Sequence, residues 1–126
     1  MEDSERREQG MKIRREVLGN AHVDRATESA TDFTAPFQDL ITRYAWGEVW
    51  SRPGLSRHAR SLLTLAMTIA LNREEEFRLH LRAAINNGVS WEEIQEVLIH
   101  SAIYCGIPAA NHAFKVAAEV LASESK

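Results

Sequence analysis

The chain has 126 residues, a formal net charge of −3, 44% hydrophobic and 26% charged residues, and one cysteine, Cys105. Those values suit one folded domain long enough to bury a core, and they exclude a largely disordered chain or a basic nucleic-acid surface. A lone thiol excludes an internal disulfide or a Cys-x-x-Cys redox pair; the charged N-terminus lacks a signal-type apolar run and no stretch approaches a membrane span, so a cytoplasmic protein is expected.

Residues 4–18 read as a charged helix with few apolar positions, expected to be peripheral: on the outside or against another subunit. Ala21 to Ser29 is a weaker helical stretch. Thr34 can cap the next helix, with Pro36 in its first turn and Phe37, Leu40, Ile41 and Tyr44 at helical spacing. AWGEVWSRPG follows, with Trp46 and Trp50 beside a turn signal. These rings are either core or pocket wall. Ser56 opens a helix from about Arg57 to Leu71. Its expected inward residues are Leu62, Leu65, Ala66 and Ile69, with Leu63, Met67 and Ala70 widening the buried arc. Arg60 lies in its first turn, where a cation is unfavourable and prefers an anionic partner.

Residues 72–88 read as one helix, opened by acidic residues and closed by Gly88. Phe77, Leu81 and Ala84 form its apolar stripe. His80 falls inside the stripe, Glu76 one turn before it, and Arg73 one turn further back. Two readings stand: a buried histidine held by a carboxylate, or an acid–base site lined by the packing face. SWEE, with Ser90 and Glu93, is a capping box. The helix from Trp91 to about Tyr104 is apolar on most sides and should be buried. It carries Glu96, His100 and Tyr104 one turn apart. Gly106 and Pro108 break it, a final helix runs from about Ala109 to Leu121, and a polar tail is expected to fray over 123–126. No strand periodicity appears, so six or seven short-linked helices make an all-α domain.

Metal chemistry lacks its spacing. Both Glu/His pairs are i,i+4 rather than the i,i+3 of bundle di-metal sites, and there is no His-Glu-x-x-His. Cys105 sits in an apolar run as a core thiol. There is no glycine-rich phosphate loop and no nucleophile elbow. Acid–base chemistry without metal or cofactor remains, through His80, Glu76 and nearby arginines.

The segments REQGMKIRREVLGNAHVDRA, FTAPFQDLITRYAWGEVWSRPGLSRHARSLLTLAMTIAL and REEEFRLHLRAAINNGVSWEEIQEVLIHSAIYCGIPAANHAF resemble the gamma-carboxymuconolactone decarboxylases, over nearly the whole chain. The wider alkylhydroperoxidase-D-like superfamily carries Cys-x-x-Cys-x-x-x-His. Set on that pattern, His80 falls at the histidine while Arg73 and Glu76 replace the cysteines, which removes the peroxidase chemistry and leaves the helical fold. The resemblance implies cofactor-free decarboxylation of 4-carboxymuconolactone to 4-oxoadipate enol-lactone, in the protocatechuate branch of the beta-ketoadipate pathway. It also implies a homo-oligomer, expected as a hexamer. On this basis His80 donates a proton or holds the developing oxyanion, and Glu76 orients His80. Arg60 leads the candidates for gripping substrate, with Arg52, Arg73 and Arg78 behind it. Trp46, His58, His100 and Tyr104 complete the substrate-binding candidates. The alternative is a non-catalytic helical scaffold that binds a small acid or a protein partner.

Overall fold

The computed structural model describes residues 1–124. Among them are seven α-helices and one π-helix, with no strand: α1 (Asp3–Leu18), α2 (Asn20–Glu28), α3 (Ala35–Ile41), the π-helix (Thr42–Val49), α4 (Arg57–Ala70), α5 (Glu74–Asn86), α6 (Trp91–Tyr104) and α7 (Ile107–Glu124). This is the all-α class expected. The chain divides into two compact units, Met1–Arg57 and His58–Lys126.

In the first unit α1 packs along the π-helix through two glycines. A Cβ on Gly10 would lie 1.9 Å from the Thr42 carbonyl oxygen, and one on Gly47 would lie 2.4 Å from that of Arg6. No side chain fits there, so the two backbones meet directly. Ile13 and Val17 are buried, so α1 is part of this unit's packing rather than a solvated appendage. Its charges also bind: Arg6 donates to Asp3 at 2.7 Å and to Glu48 at 3.2 Å. Arg43 donates to Asp39 at 2.8 Å. The guanidiniums of Arg6 and Arg43 lie 5.1 and 5.2 Å from the centre of the Tyr44 ring, within cation–π range.

The segment after Ile41 was not foreseen as a π-helix. Trp50 N–H donates to the Ala45 carbonyl, five residues back, at 2.9 Å. The Gly47 carbonyl is taken by side chains, Gln9 Nε2 at 3.2 Å and Ser51 Oγ at 2.8 Å. Such side-chain bonds compete with the regular helical ladder, and π-helical turns are rare and frequent at functional sites.

In the second unit Leu65 and Ile69 of α4 meet Phe77, Leu81 and Ala84 of α5, Ile94 and Leu98 of α6, and Val116 and Val120 of α7 in one core. Asn72 turns the chain between α4 and α5 with φ at 59°, a left-handed conformation that asparagine tolerates. Asn87 Nδ2 donates to the buried Ser61 Oγ at 3.0 Å. The end of α5 is thereby tied to the start of α4, and the two helices run antiparallel. The capping box forms as expected, with Glu93 N–H donating to Ser90 Oγ at 3.1 Å and Ser90 N–H to Glu93 Oε1 at 3.0 Å.

Four expectations need correction. Leu63 and Met67 are 45% and 58% exposed, and Ala70 is exposed too, so they do not widen the buried arc of α4. Nor is α6 buried all round, since Ile99 and Ile103 are 48% and 76% exposed. Helix α5 begins at Glu74, which leaves Asn72 and Arg73 outside it. Finally, α7 begins at Ile107 rather than Ala109. Gly106, at φ 98°, makes the break, and Pro108 fits the first turn, where no intrahelical N–H is needed. Of the tail, Ser123 and Glu124 belong to α7, and 125–126 lie outside the described residues. No described helix is long and apolar enough to cross a membrane.

Candidate active site

His80 occupies the middle of α5, half-buried, between the core residues Phe77 and Leu81. The sequence puts it inside the apolar stripe, yet the residue keeps partial exposure. Its Nδ1 is closed off from solvent. Glu76, one turn earlier, is exposed, and its side chain forms no hydrogen bond or ion pair among the described residues. The i,i+4 spacing brings the two within reach of each other, but their side chains are not joined.

Arg60 lies in the first turn of α4, half-buried, with its Nε closed off from solvent. Because α4 and α5 are antiparallel and Ser61 faces Asn87, Arg60 and His80 are offset by about 12 Å along the helix axes, at 1.5 Å of rise per residue. Arg73 is exposed and holds the N-cap position of α5, and its carbonyl accepts the Phe77 N–H at 2.9 Å. Its side chain borders a small depression with Glu74 and His112, where His112 Nε2 and Glu74 Oε1 are 2.6 Å apart.

The remaining candidates of this unit gather elsewhere. A groove of about 600 Å³ runs between α4 and α6, lined by Leu62, Leu63, Ala66, Glu93, Glu96, Val97, Ile99, His100, Ser101 and Ile103. His100 stacks on Tyr104 with ring centres 4.9 Å apart. His58 Nε2 lies 2.8 Å from Glu93 Oε2. The Ser90 backbone amide first, and His58 second, hold the Glu93 carboxyl below its usual range. The groove therefore unites His100, Glu96 and Glu93, with His58 at Glu93 and Tyr104 on His100, while His80 and Arg60 do not line it. Trp46 belongs to the first unit, where it is buried on the π-helix with its ring centre 5.1 Å from that of Trp50.

Sequence reasoning missed the second role of Glu93. Its capping signature was legible, but the partner of its other oxygen depends on where α4 lies. Asn87 was read only as part of a helix stop, and its bond to Ser61 has no local signal. Among the described residues no three His, Cys, Asp or Glu side chains gather in a way that would hold a metal ion.

Comparison with known proteins gives the chain its relatives. A 4-carboxymuconolactone decarboxylase of Acinetobacter baylyi is 53% identical over 120 residues, covering 95% of this chain and 90% of that protein. A nitrosuccinic acid decarboxylase of Metarhizium robertsii is 50% identical over 109 residues, 86% of this chain and 76% of that protein. A 4-carboxymuconolactone decarboxylase of Pseudomonas putida is 50% identical over 48 residues, 38% of this chain and 100% of that sequence. Residues 35–119 match the pattern of a described family. That span covers α3 through most of α7 and includes every candidate residue named above, so the chain belongs to the carboxymuconolactone decarboxylase family.

Proposed function

We propose that the protein decarboxylates 4-carboxymuconolactone to 4-oxoadipate enol-lactone and CO2, in the protocatechuate branch of the beta-ketoadipate pathway. The observation that carries this reading is the 53% identity to the Acinetobacter baylyi decarboxylase along nearly the full length of both chains. Loss of CO2 leaves an electron pair on the ring carbon. The ring double bond passes that charge to the lactone carbonyl oxygen, and protonation next to the carbonyl gives the product. The lactone is its own electron sink, so the chemistry itself asks for no cofactor.

The reading gives His80 the charged intermediate. An N–H aimed at the dienolate oxygen stabilises it, and an imidazole near its working pH can deliver the proton. Half-burial on α5 suits both tasks, since Nδ1 is closed off from solvent while the residue as a whole keeps partial exposure. Arg60 grips a substrate carboxylate, for which a half-buried guanidinium is well suited. An axial offset of about 12 Å is bridged by the length of its own side chain together with a dicarboxylate. Glu76 serves as a positioning residue that meets His80 once substrate orders both side chains. The exposed apolar residues of α4 and α6, Leu63, Met67, Ile99 and Ile103, support assembly into a homo-oligomer such as a hexamer, in the cytoplasm.

The test is CO2 release from 4-carboxymuconolactone, with nitrosuccinic acid as the parallel substrate because of the second relative. Turnover of the lactone is expected, and His80→Ala should lower kcat by roughly 10²–10⁴ with the fold intact. Arg60→Ala should chiefly raise KM, by roughly tenfold or more for a lost charge-assisted contact. Preference for nitrosuccinic acid would reassign the substrate. No CO2 from either acid would leave the binding scaffold.

A further inference from the structure

Arg14 is 7% exposed on α1, yet no carboxylate pairs with it among the described residues. Its Nη1 donates to Thr42 Oγ1 at 3.2 Å and its Nη2 to Gln38 Oε1 at 2.9 Å. Both acceptors are neutral. Its Nε is buried without a hydrogen-bond partner. A guanidinium carries five N–H donors and does not give up its proton at working pH. Burying such a charge without an anion is costly.

Arg14 also borders a cavity of about 150 Å³ in the first unit, shared with Arg7, Ala26, Gln38, Asp39 and Thr42 among others. Asp39 is already held by Arg7 and Arg43, so it leaves the Arg14 charge uncompensated. The wall thus carries two guanidiniums against one carboxylate. Burial pushes Arg14 down from the usual arginine range. Nearby His22 is likewise pushed down, by burial first and then by the charges of Arg14 and Arg25. The local field therefore favours an anion. The space amounts to about five waters at roughly 30 Å³ each, which suits a carboxylate group with a few carbons.

We propose that this cavity binds a single carboxylate against Arg14, from a small free acid or from an acidic side chain of a second copy of the chain. The remaining Nη N–H groups donate to the carboxylate oxygens, and the Gln38 side-chain amide, whose Oε1 accepts from Arg14, borders the same cavity.

Thermal unfolding in sodium acetate against sodium chloride at equal ionic strength tests this. A ligand that binds only the folded state raises Tm as its concentration rises. Wild type should gain more from acetate than from chloride, Arg14→Gln and Arg14→Lys should lose the difference, and Arg60→Ala should keep it. A carboxylate from a second copy would instead make wild-type Tm rise with protein concentration, and Arg14→Gln would abolish that rise. Ala30→Leu, at the exposed rim of the cavity, narrows the space with Arg14 in place and should lose the response even if the Arg14 variants fail to fold. The proposal is overturned if wild type shows neither dependence, or if Arg14→Gln or Ala30→Leu responds as wild type does. A response that disappears only in Arg60→Ala would belong to the proposed active site and would equally overturn it.

Discussion

The two units are held together by different physics. In the second, Leu65, Leu81, Ile94, Leu98, Val116 and Val120 are all but sealed from solvent, and the buried polar groups are hydroxyls such as Ser61 and Ser101 that find acceptors or donors. In the first, buried apolar residues are few and the contacts are backbone on backbone at Gly10 and Gly47. Ion pairs run from Glu48 through Arg6, Asp3, Arg43 and Asp39 to Arg7. An apolar core is insensitive to salt, whereas exposed ion pairs are screened and individually weak. The lesson is that one short chain combines a unit stabilised by burial with one stabilised by close approach and charge.

Substitutions, pH and salt sharpen that contrast, best read by hydrogen exchange resolved over each unit. Leu81→Ala should have the largest effect, about 2–5 kcal/mol for truncating a buried leucine, with loss of protection in α4 to α7. Equal loss of protection throughout the first unit would show that the two do not differ as described. Gly10→Ala comes next. Its Cβ would meet the Thr42 carbonyl at 1.9 Å, and overpacking of this kind costs about 1–3 kcal/mol; the first unit should lose protection selectively. An unchanged Tm would remove the glycine crossing from the account.

The smallest effect is acid sensitivity. Asp39 is held below the usual carboxylate range by Arg7 first and by Arg43, and Glu93 by the Ser90 amide first and by His58. A depressed folded-state pKa means stabilisation that is fully present above the unfolded value, about 4. It is lost as pH falls through the lower folded value. Both units should therefore weaken below about pH 4, and Asp39→Asn should flatten that dependence in the first unit while leaving the second unchanged. High salt should weaken the ion-pair ladder and spare the apolar core.

Much of this was readable before any coordinates. Ser90 and Glu93 announce the start of α6 because a capping box is satisfied within four residues. Gly88 stops α5 for an equally local reason, its positive φ. The stripe Phe77, Leu81, Ala84 predicts the buried face of α5, since a 3.6-residue period alone decides which positions align. The exposed side of α6 was not readable: Ile99 and Ile103 are apolar wherever they point, and composition cannot say whether another element covers them. The Glu76–His80 pairing shows the same limit, because i,i+4 spacing grants reach and not a contact.

The sequence by itself determined the helical class, the family, the boundaries set by caps and glycines, and the residues able to do acid–base work, because each depends on local periodicity, local backbone chemistry or likeness along the chain. The tertiary structure alone decided that His58 meets Glu93, that Asn87 closes on Ser61, that Gly10 and Gly47 let two backbones touch, and that Arg14 is buried without an acid. Those depend on contacts between residues more than twenty positions apart, and no local rule encodes which distant group arrives.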